Sequence, residues 1–175
     1  MSKPLPSSFF DRPTLQVAED LIGCMLVRAR DGKTERYMIT EAEAYDGFDD
    51  LASHASKGRT PRTEVMFGPP GRTYIYFVYG IHWMLNVVTG PQDYPSAVLI
   101  RGIEGIPGPA RLTKALGITK DLNNMILSKK TGLWIEEGPA KISSSDIQKT
   151  PRIGVDYAGP IWSKKLWRFV LSRKN

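Results

Sequence analysis

The stretch TYIYFVYGIHWMLN, residues 73–86, most restricts how this chain can fold, because aromatic residues crowd both of its halves. A glycine near its centre, between two flanks rich in β-favouring residues, predicts a β-hairpin. Side chains alternate in direction along a strand. The first strand therefore has two faces, with Tyr74 and Tyr76 on one and Ile75, Phe77 and Tyr79 on the other. One hydrophobic core covers one face, so the second aromatic face needs a different partner.

The loop before the hairpin indicates what that partner is. Residues 56–72 are rich in Gly, Pro and Arg, and loops of this length inside a compact domain are usually functional or disordered. Arg59, Arg62 and Arg72 place guanidinium groups beside the aromatic tip. Phosphate-contacting arginines next to an aromatic wedge are typical of proteins that open a duplex. Two interpretations stay open: the tip inserts between bases, or helices bury the hairpin on both sides.

Charge is distributed unevenly in this basic chain, whose net charge is +6 and whose pI is about 9.5. Residues 151–175 carry six basic residues against one acidic residue, whereas residues 40–51 carry five acidic residues and no basic one. A positive surface attracts polyanionic partners. The pattern fits an enzyme that acts on an anionic polymer through a carboxylate, and it fits equally a solvated surface with a basic tail.

Several classes of protein are disfavoured by the sequence. The single cysteine, Cys24, cannot form an intrachain disulfide and lies in the apolar run LIGCMLV, which predicts that it packs in the core. That run has seven residues, too few to cross a bilayer, and MSKPLPSSFFDRP lacks the hydrophobic region of a secretory signal. Two histidines without metal-ligand spacing do not indicate a metal site. We therefore expect a cytoplasmic protein with no membrane association, no metal and no other cofactor.

The remaining patterns predict a single domain over residues 1–175, of the α+β class. Residues that favour helix ends predict three helices. The first starts after a cap at Asp11 and Pro13 and ends at Gly23, a short one lies near 49–55, and the third spans 108–117. Strands are predicted in β-rich runs: 24–30 and 35–45 as a hairpin around Asp31-Gly32, then 96–104, 133–137, 152–155 and 166–171. Residues 138–150 are expected to form a loop. We expect a curved, mainly antiparallel sheet with flanking helices, from which the aromatic hairpin protrudes.

Two carboxylates in the acidic segment are candidates for chemistry. Glu41 and Glu43 lie two residues apart on a predicted strand, so they share a face, which Tyr45 continues. A carboxylate beside an aromatic ring in a core-like strand is suited to act as a general base in a partly dry pocket. The same residues also fit an edge strand whose glutamates face solvent, or the carboxylate pair of a glycoside hydrolase. The residues by themselves leave these alternatives open.

Six blocks of the sequence are long and distinctive: EAEAYDG at 41–47, SHASKGRTPRTEVMFGPPG at 53–71, YIYFVYGIHWMLN at 74–86, AVLIRGIE at 97–104, GPARLTKALGI at 108–118 and RIGVDYAG at 152–159. In this order they resemble the alkyladenine (3-methyladenine) DNA glycosylase family in its bacterial form. With gaps, the resemblance runs from about residue 8 to residue 171. It implies hydrolysis of the N-glycosidic bond of an alkylated or deaminated purine, after that nucleotide is flipped out of duplex DNA.

For catalysis, the resemblance implies roles at three positions. Glu43 matches the general base that activates water, and Arg101 matches the residue that helps to hold that water, with the backbone carbonyl of Ile153 as a further ligand. No lysine occupies the matched base position, which favours direct attack by water over a Schiff-base lyase. The expected enzyme is therefore a monofunctional glycosylase that leaves an abasic site in base-excision repair.

For the flipped base, the resemblance implies a pocket whose walls are Tyr45, His54 and Tyr76, with the backbone N–H of His54 available to read the base edge. Asn86 matches the residue that obstructs the amino group of normal guanine. The even separation of Tyr76 and Asn86 lets them share a face, and a loop at 80–82 would place them directly opposite each other.

The predicted partner is double-stranded DNA with damaged purines, bound by a monomer that associates with the bacterial nucleoid through DNA. Tyr79 matches the wedge that fills the vacated stack, and backbone contacts are expected from Arg59, Arg62, Ile81 and His82. Flipping costs a few kcal/mol, and stacking on aromatic rings returns roughly 1–3 kcal/mol per base. The alternative is a non-catalytic nucleic-acid-binding module, against which the intact catalytic positions argue.

Overall fold

All of the strand pairs are antiparallel in the part of the chain that the computed structural model describes, residues 3–172. In chain order the strands are β1 (Met25–Arg30), β2 (Lys33–Asp46), β3 (Thr73–Val78), β4 (His82–Val88), β5 (Ser96–Ile103), β6 (Ile106–Pro107), β7 (Leu133–Glu136), β8 (Ile147–Thr150) and β9 (Arg168–Leu171). The main order is β3-β4-β5-β2-β1-β7, while β6 pairs with β5, β9 with β2, and β8 with β9. The predicted α+β class with a mainly antiparallel sheet is confirmed.

The α-helices of the described residues are short: α1 (Ser7–Phe10), α2 (Thr14–Asp20), α3 (Pro109–Leu116) and α4 (Gly159–Trp162). Apolar residues of α2 and α3 are buried with those of β2, β4 and β5 in the main core, which also contains Cys24 as predicted. The predicted cap at Asp11 is wrong, because α2 begins after Pro13, and Pro13 makes no side-chain cap bond. Pro13 directly precedes the first helical residue, where its missing N–H costs the helix no hydrogen bond.

The β1–β2 hairpin turns at Asp31-Gly32, as predicted. Both residues have positive φ, 51° and 73°, which is the conformation that the two-residue type I′ turn requires. The predicted helix near 49–55 is wrong, because the chain makes a turn there and then a 3₁₀ helix over His54–Lys57. The carboxylate of Asp50 accepts from the N–H groups of Asp46 and Ala52, and such local bonds compete with helix formation.

Two further local predictions are wrong for tertiary reasons. Residues 152–155 are not a strand, since the N–H of Ile153 donates to the Glu43 carboxylate instead of to a neighbouring strand. The segment 138–150 is not all loop, because its last four residues form β8. This strand is stabilised by pairing with β9, a contact that local propensity does not reveal.

The aromatic hairpin consists of β3 and β4 joined by a loop at 79–81. The predicted loop at 80–82 is therefore wrong by one residue, and Asn86 pairs with Tyr74 while Tyr76 pairs with Met84. The turn begins earlier because Tyr79 already adopts a left-handed conformation, with φ 53°. The base of the hairpin is buried on both faces, with Ile75 in the main core and Tyr74 in a second cluster. The tip is exposed.

Candidate active site

The carboxylate of Glu43 is completely shielded from solvent on β2. Its Oε1 accepts from the backbone N–H of Ile153 at 2.8 Å, and its Oε2 accepts from the hydroxyl of Tyr45 at 2.8 Å. Burial raises the pKa of Glu43, while the positive charge of Arg101 and these two hydrogen bonds oppose the rise. The sequence alternative of a solvent-facing edge glutamate is thus excluded for Glu43, whose basicity is strengthened by its dry surroundings.

Arg101 lies between the two glutamates of the acidic segment. Its Nε is 3.0 Å from Oε1 of Glu41 and 3.5 Å from Oε1 of Glu43. Arg168 binds the same Glu41 oxygen at 2.6 Å. The β2–β5 register is irregular here: Ala42 pairs with Ile100 and Glu41 with Gly102, which leaves Arg101 without a direct partner. Such bulges redirect side chains near active sites, and this one brings both carboxylates to one guanidinium.

A cavity of about 310 Å³ opens beside these groups. The structure places most of the predicted site residues around it: Tyr45, His54, Tyr76, Tyr79, Asn86, Arg101 and Ile153. Glu43 lies behind this lining and contacts three of its members. The lining also includes Tyr157, whose hydroxyl donates to the carbonyl of Ala52 at 2.7 Å, and which the sequence interpretation missed.

The aromatic walls are held by polar contacts. The ring of His54 lies edge-on to the ring of Tyr76, with 4.7 Å between the ring centroids. The Nδ1 atom of His54 is 3.2 Å from the hydroxyl of Tyr74. Burial and the charges of Arg62 and Lys57 lower the pKa of His54 to about 4, so the imidazole is neutral near pH 7. A neutral ring does not repel a cationic ligand.

The Tyr45 wall is supported from behind by a buried ion pair. Arg152 donates to both carboxylate oxygens of Asp50, at 2.6 and 2.9 Å, and to the carbonyl of Ala44 at 2.9 Å. Its guanidinium lies 4.8 Å from the Tyr45 ring and 4.9 Å from the Trp167 ring. This pair joins the segment after β2 to the segment that carries Ile153. Nothing in the basic segment 151–175 predicted that Arg152 is buried.

The hairpin tip and Asn86 differ in their exposure to solvent. Tyr79 is 88% exposed at the tip, and Ile81 is exposed beside it, with His82 half-buried where β4 begins. The expectation that Tyr79 faces away from Tyr76 is wrong, because strand alternation ends at the turn and both residues line the cavity. Asn86 is buried and donates to the Tyr74 carbonyl at 3.0 Å.

The arginines of the loop before the hairpin differ in their surroundings. Arg59 binds Glu64 at 3.0 Å and Asp93 at 2.8 Å. Arg62 is exposed, and its guanidinium lies 5.2 Å from the Tyr76 ring. Arg72 donates to the carbonyl of Asn124 at 2.7 Å. Of the basic tail, Arg173 and Lys174 lie outside the described residues.

Residues 3–172 contain neither a cluster of metal ligands nor a membrane-spanning helix. Nowhere among them do three or more His, Cys, Asp or Glu side chains come together as metal ligands would. None of their helices has the length and apolarity that crossing a bilayer requires.

The family model described as methylpurine-DNA glycosylase matches residues 8–107 and 106–175. The chain belongs to this family. The resemblance found in the sequence is thereby confirmed over nearly the whole length of the chain. The roles predicted for individual residues of this methylpurine-DNA glycosylase family member stay predictions.

Curated relatives share nearly the full length of this family member and carry the name "Putative 3-methyladenine DNA glycosylase". One from Anaeromyxobacter dehalogenans is 45% identical over 174 residues, covering 95% of this chain and 83% of the relative. One from Myxococcus xanthus is 46% identical over 173 residues, covering 94% and 88%. One from Methanocella arvoryzae is 43% identical over 185 residues, covering 94% and 90%.

Proposed function

We propose that this protein is a monofunctional 3-methyladenine-type DNA glycosylase. It flips alkylated or deaminated purines out of duplex DNA and hydrolyses their N-glycosidic bond with water activated by Glu43, leaving an abasic site. One observation carries the proposal most: a fully buried carboxylate lies directly behind the wall of an aromatic cavity. Family membership and the names of the relatives support the same substrate class.

The cavity suits a single purine. Its volume of about 310 Å³ is near the lower end of ligand sites, which span roughly 300–1,000 Å³. Tyr45, Tyr76 and the neutral His54 offer ring faces and edges to a flat base. A cationic alkylated purine gains cation–π attraction from such rings, and its positive charge makes it a good leaving group.

The contacts of the Glu43 carboxylate leave one acceptor position for a further hydrogen-bond donor. A carboxylate has about four acceptor positions. The N–H of Ile153 and the Arg101 guanidinium lie at Oε1, and the Tyr45 hydroxyl occupies one position at Oε2. A water bound at the remaining position would lose its proton to Glu43 as it attacks the sugar carbon, with Arg101 and the carbonyl of Ile153 holding it in line.

The hairpin tip supplies the means to open the duplex. In our proposal Tyr79, exposed and at the cavity mouth, enters the gap that the flipped nucleotide leaves, while Ile81 and His82 approach the backbone. Asn86 fills the end of the pocket where the amino group of guanine would lie, and its side chain is fixed by the bond to Tyr74. A buried amide that cannot move aside excludes the normal base by steric conflict.

The rival interpretations are less well supported. A glycoside hydrolase needs two carboxylates at the reacting bond. Glu41 is bound by Arg101 and Arg168 instead, which leaves Glu43 as the carboxylate at the cavity. A binding module without chemistry gives no reason for a carboxylate whose pKa is raised by burial beside the base pocket.

The test is incubation with duplexes that each carry one lesion, followed by alkaline cleavage at abasic sites. We expect excision of at least one of 3-methyladenine, 7-methylguanine, ethenoadenine and hypoxanthine under single-turnover conditions. Glu43→Gln keeps the shape of the side chain without its basicity, so it should slow excision by about 10²–10⁴-fold while duplex binding survives. Excision by Glu43→Gln at the wild-type rate, or no base release from any lesion by the wild type, would overturn the proposal.

A further inference from the structure

We propose that Glu41 is a positioning residue that, anchored by Arg168, holds the Arg101 guanidinium at the cavity and keeps it from closing onto Glu43. The inference rests on the proposed function and concerns how its catalytic groups are held. A single oxygen, Oε1 of Glu41, accepts hydrogen bonds from Nε of Arg101 at 3.0 Å and from Nε of Arg168 at 2.6 Å.

The geometry shows a competition for Arg101. Its Nε is nearer to Glu41 than to Glu43, at 3.0 against 3.5 Å. Without Glu41, the nearest negative charge would be the buried Glu43, and a direct ion pair would form there. Such a pair would make Glu43 a weaker base and would remove a donor from the place where water binds.

The surrounding backbone is built to accept this arrangement. Arg168 pairs with Glu43 in the β2–β9 register, and its side chain also donates to the hydroxyl of Thr150 at 3.1 Å. Glu41 lies opposite Gly102, where a Cβ would come within 3.2 Å of the Glu41 Cβ. The missing side chain at Gly102 thus leaves space for the carboxylate that both arginines share.

The charges that face Glu43 predict two opposite effects. Arg101 approaches Glu43 from β5 and Arg152 from the segment after β8, the donors are Tyr45 and the N–H of Ile153, and the phenols of Tyr76 and Tyr157 also face it. Glu41 on β2 and Arg168 on β9 share one ion cluster with Arg101. Glu41→Gln removes the negative charge that competes for Arg101. The positive charge of Arg101 then acts on Glu43 alone, so the pKa of Glu43 should fall. Arg168→Gln removes one of the two cations that neutralise Glu41, so more negative charge acts on Glu43 and its pKa should rise.

Two measurements test this, and the first does not depend on activity. The carboxyl carbon of Glu43 is titrated by NMR in the wild type, in Glu41→Gln and in Arg168→Gln. We expect the midpoint to move down in the first variant and up in the second. Equal midpoints in all three proteins would overturn the proposal whether or not the protein excises bases.

The second measurement is single-turnover excision as a function of pH. Glu41→Gln should move the acidic limb to lower pH and reduce the plateau rate by about 10–100-fold, because Arg101 leaves its catalytic position. In an Arg101→Gln background the same change should have little further effect, since the two residues act through one contact. A full additional loss in that background, or a plateau within twofold of wild type in Glu41→Gln alone, would refute the role in positioning Arg101.

Discussion

Burial moves the proton affinities of two pocket residues in opposite directions. It raises the pKa of Glu43, which stays ionised only above its shifted value, and it lowers the pKa of His54 to about 4. We therefore expect excision, which in our proposal needs ionised Glu43, to have its acidic limit above the ordinary pKa of a glutamate. Between that limit and neutral pH, His54 adds no charge to the wall that it forms.

The lowered pKa of His54 also predicts how stability depends on pH. Above its ordinary value of about 6.5, His54 is neutral in both the folded and the unfolded chain. As the pH falls from 6.5 towards 4, the unfolded chain binds a proton that the folded chain does not, so stability is lost. In His54→Gln this loss should disappear. Urea unfolding at pH 7 and at pH 4.5 measures it, and an equal pH dependence in the two proteins would contradict the prediction.

A second prediction about a single residue concerns Tyr79. Because the side chain is 88% exposed, Tyr79→Ala should change the free energy of unfolding by no more than about 0.5 kcal/mol. Excision should nevertheless slow, since lost stacking is worth roughly 1–3 kcal/mol. Thermal melts and single-turnover excision of one lesion separate these effects.

Tyr76→Ala is the matched control, because Tyr76 packs against a buried cluster and forms a pocket wall. It should damage the pocket whether or not the duplex is opened. A large drop in the melting temperature of Tyr79→Ala with excision intact would exclude the wedge role.

At the scale of elements, the buried Arg152–Asp50 pair connects parts of the chain that no strand pairing joins. Removing one partner leaves an uncompensated buried charge, so Arg152→Met should lower the free energy of unfolding by about 3–5 kcal/mol. The double variant with Asp50→Asn should lose less than the sum of the single changes. Arg12→Met is the control: its pair with Asp20 is partly exposed, and its loss should cost less than about 1 kcal/mol. Urea unfolding compares the wild type with these two single variants, the double variant and the control, and additive losses in the double variant would contradict the prediction.

At the scale of the whole molecule, the net charge of +6 predicts that lesion binding weakens steeply with salt. Each lost phosphate contact should reduce the slope of log K against log salt by about one unit, so Arg59→Ala and Arg62→Ala should both flatten it. We expect the larger effect from Arg62, since Arg59 is shared between Glu64 and Asp93 in the free protein. Binding titrations at three salt concentrations measure the slope. An unchanged affinity from low to moderate salt would contradict the prediction.

Local signals in the sequence determined the Asp31-Gly32 hairpin, the α3 helix and the aromatic hairpin, because each depends on bonds between residues close in the chain. Alternation along β2 likewise placed Glu41 and Glu43 on one side. These local signals left three interpretations of each glutamate open: a general base, a solvent-facing residue or one half of a carboxylate pair.

Only the tertiary structure excluded a solvent-facing position for Glu43 and showed that two arginines bind Glu41. The register irregularity at Arg101, the arrival of Arg168 on β9 and the N–H of Ile153 bring together residues from distant parts of the chain. Burial of Arg152 against Asp50, 102 positions apart, depends likewise on chain packing. The properties of a charged side chain are set by the charges and the solvent around it, and for these residues that surrounding exists only in the folded protein.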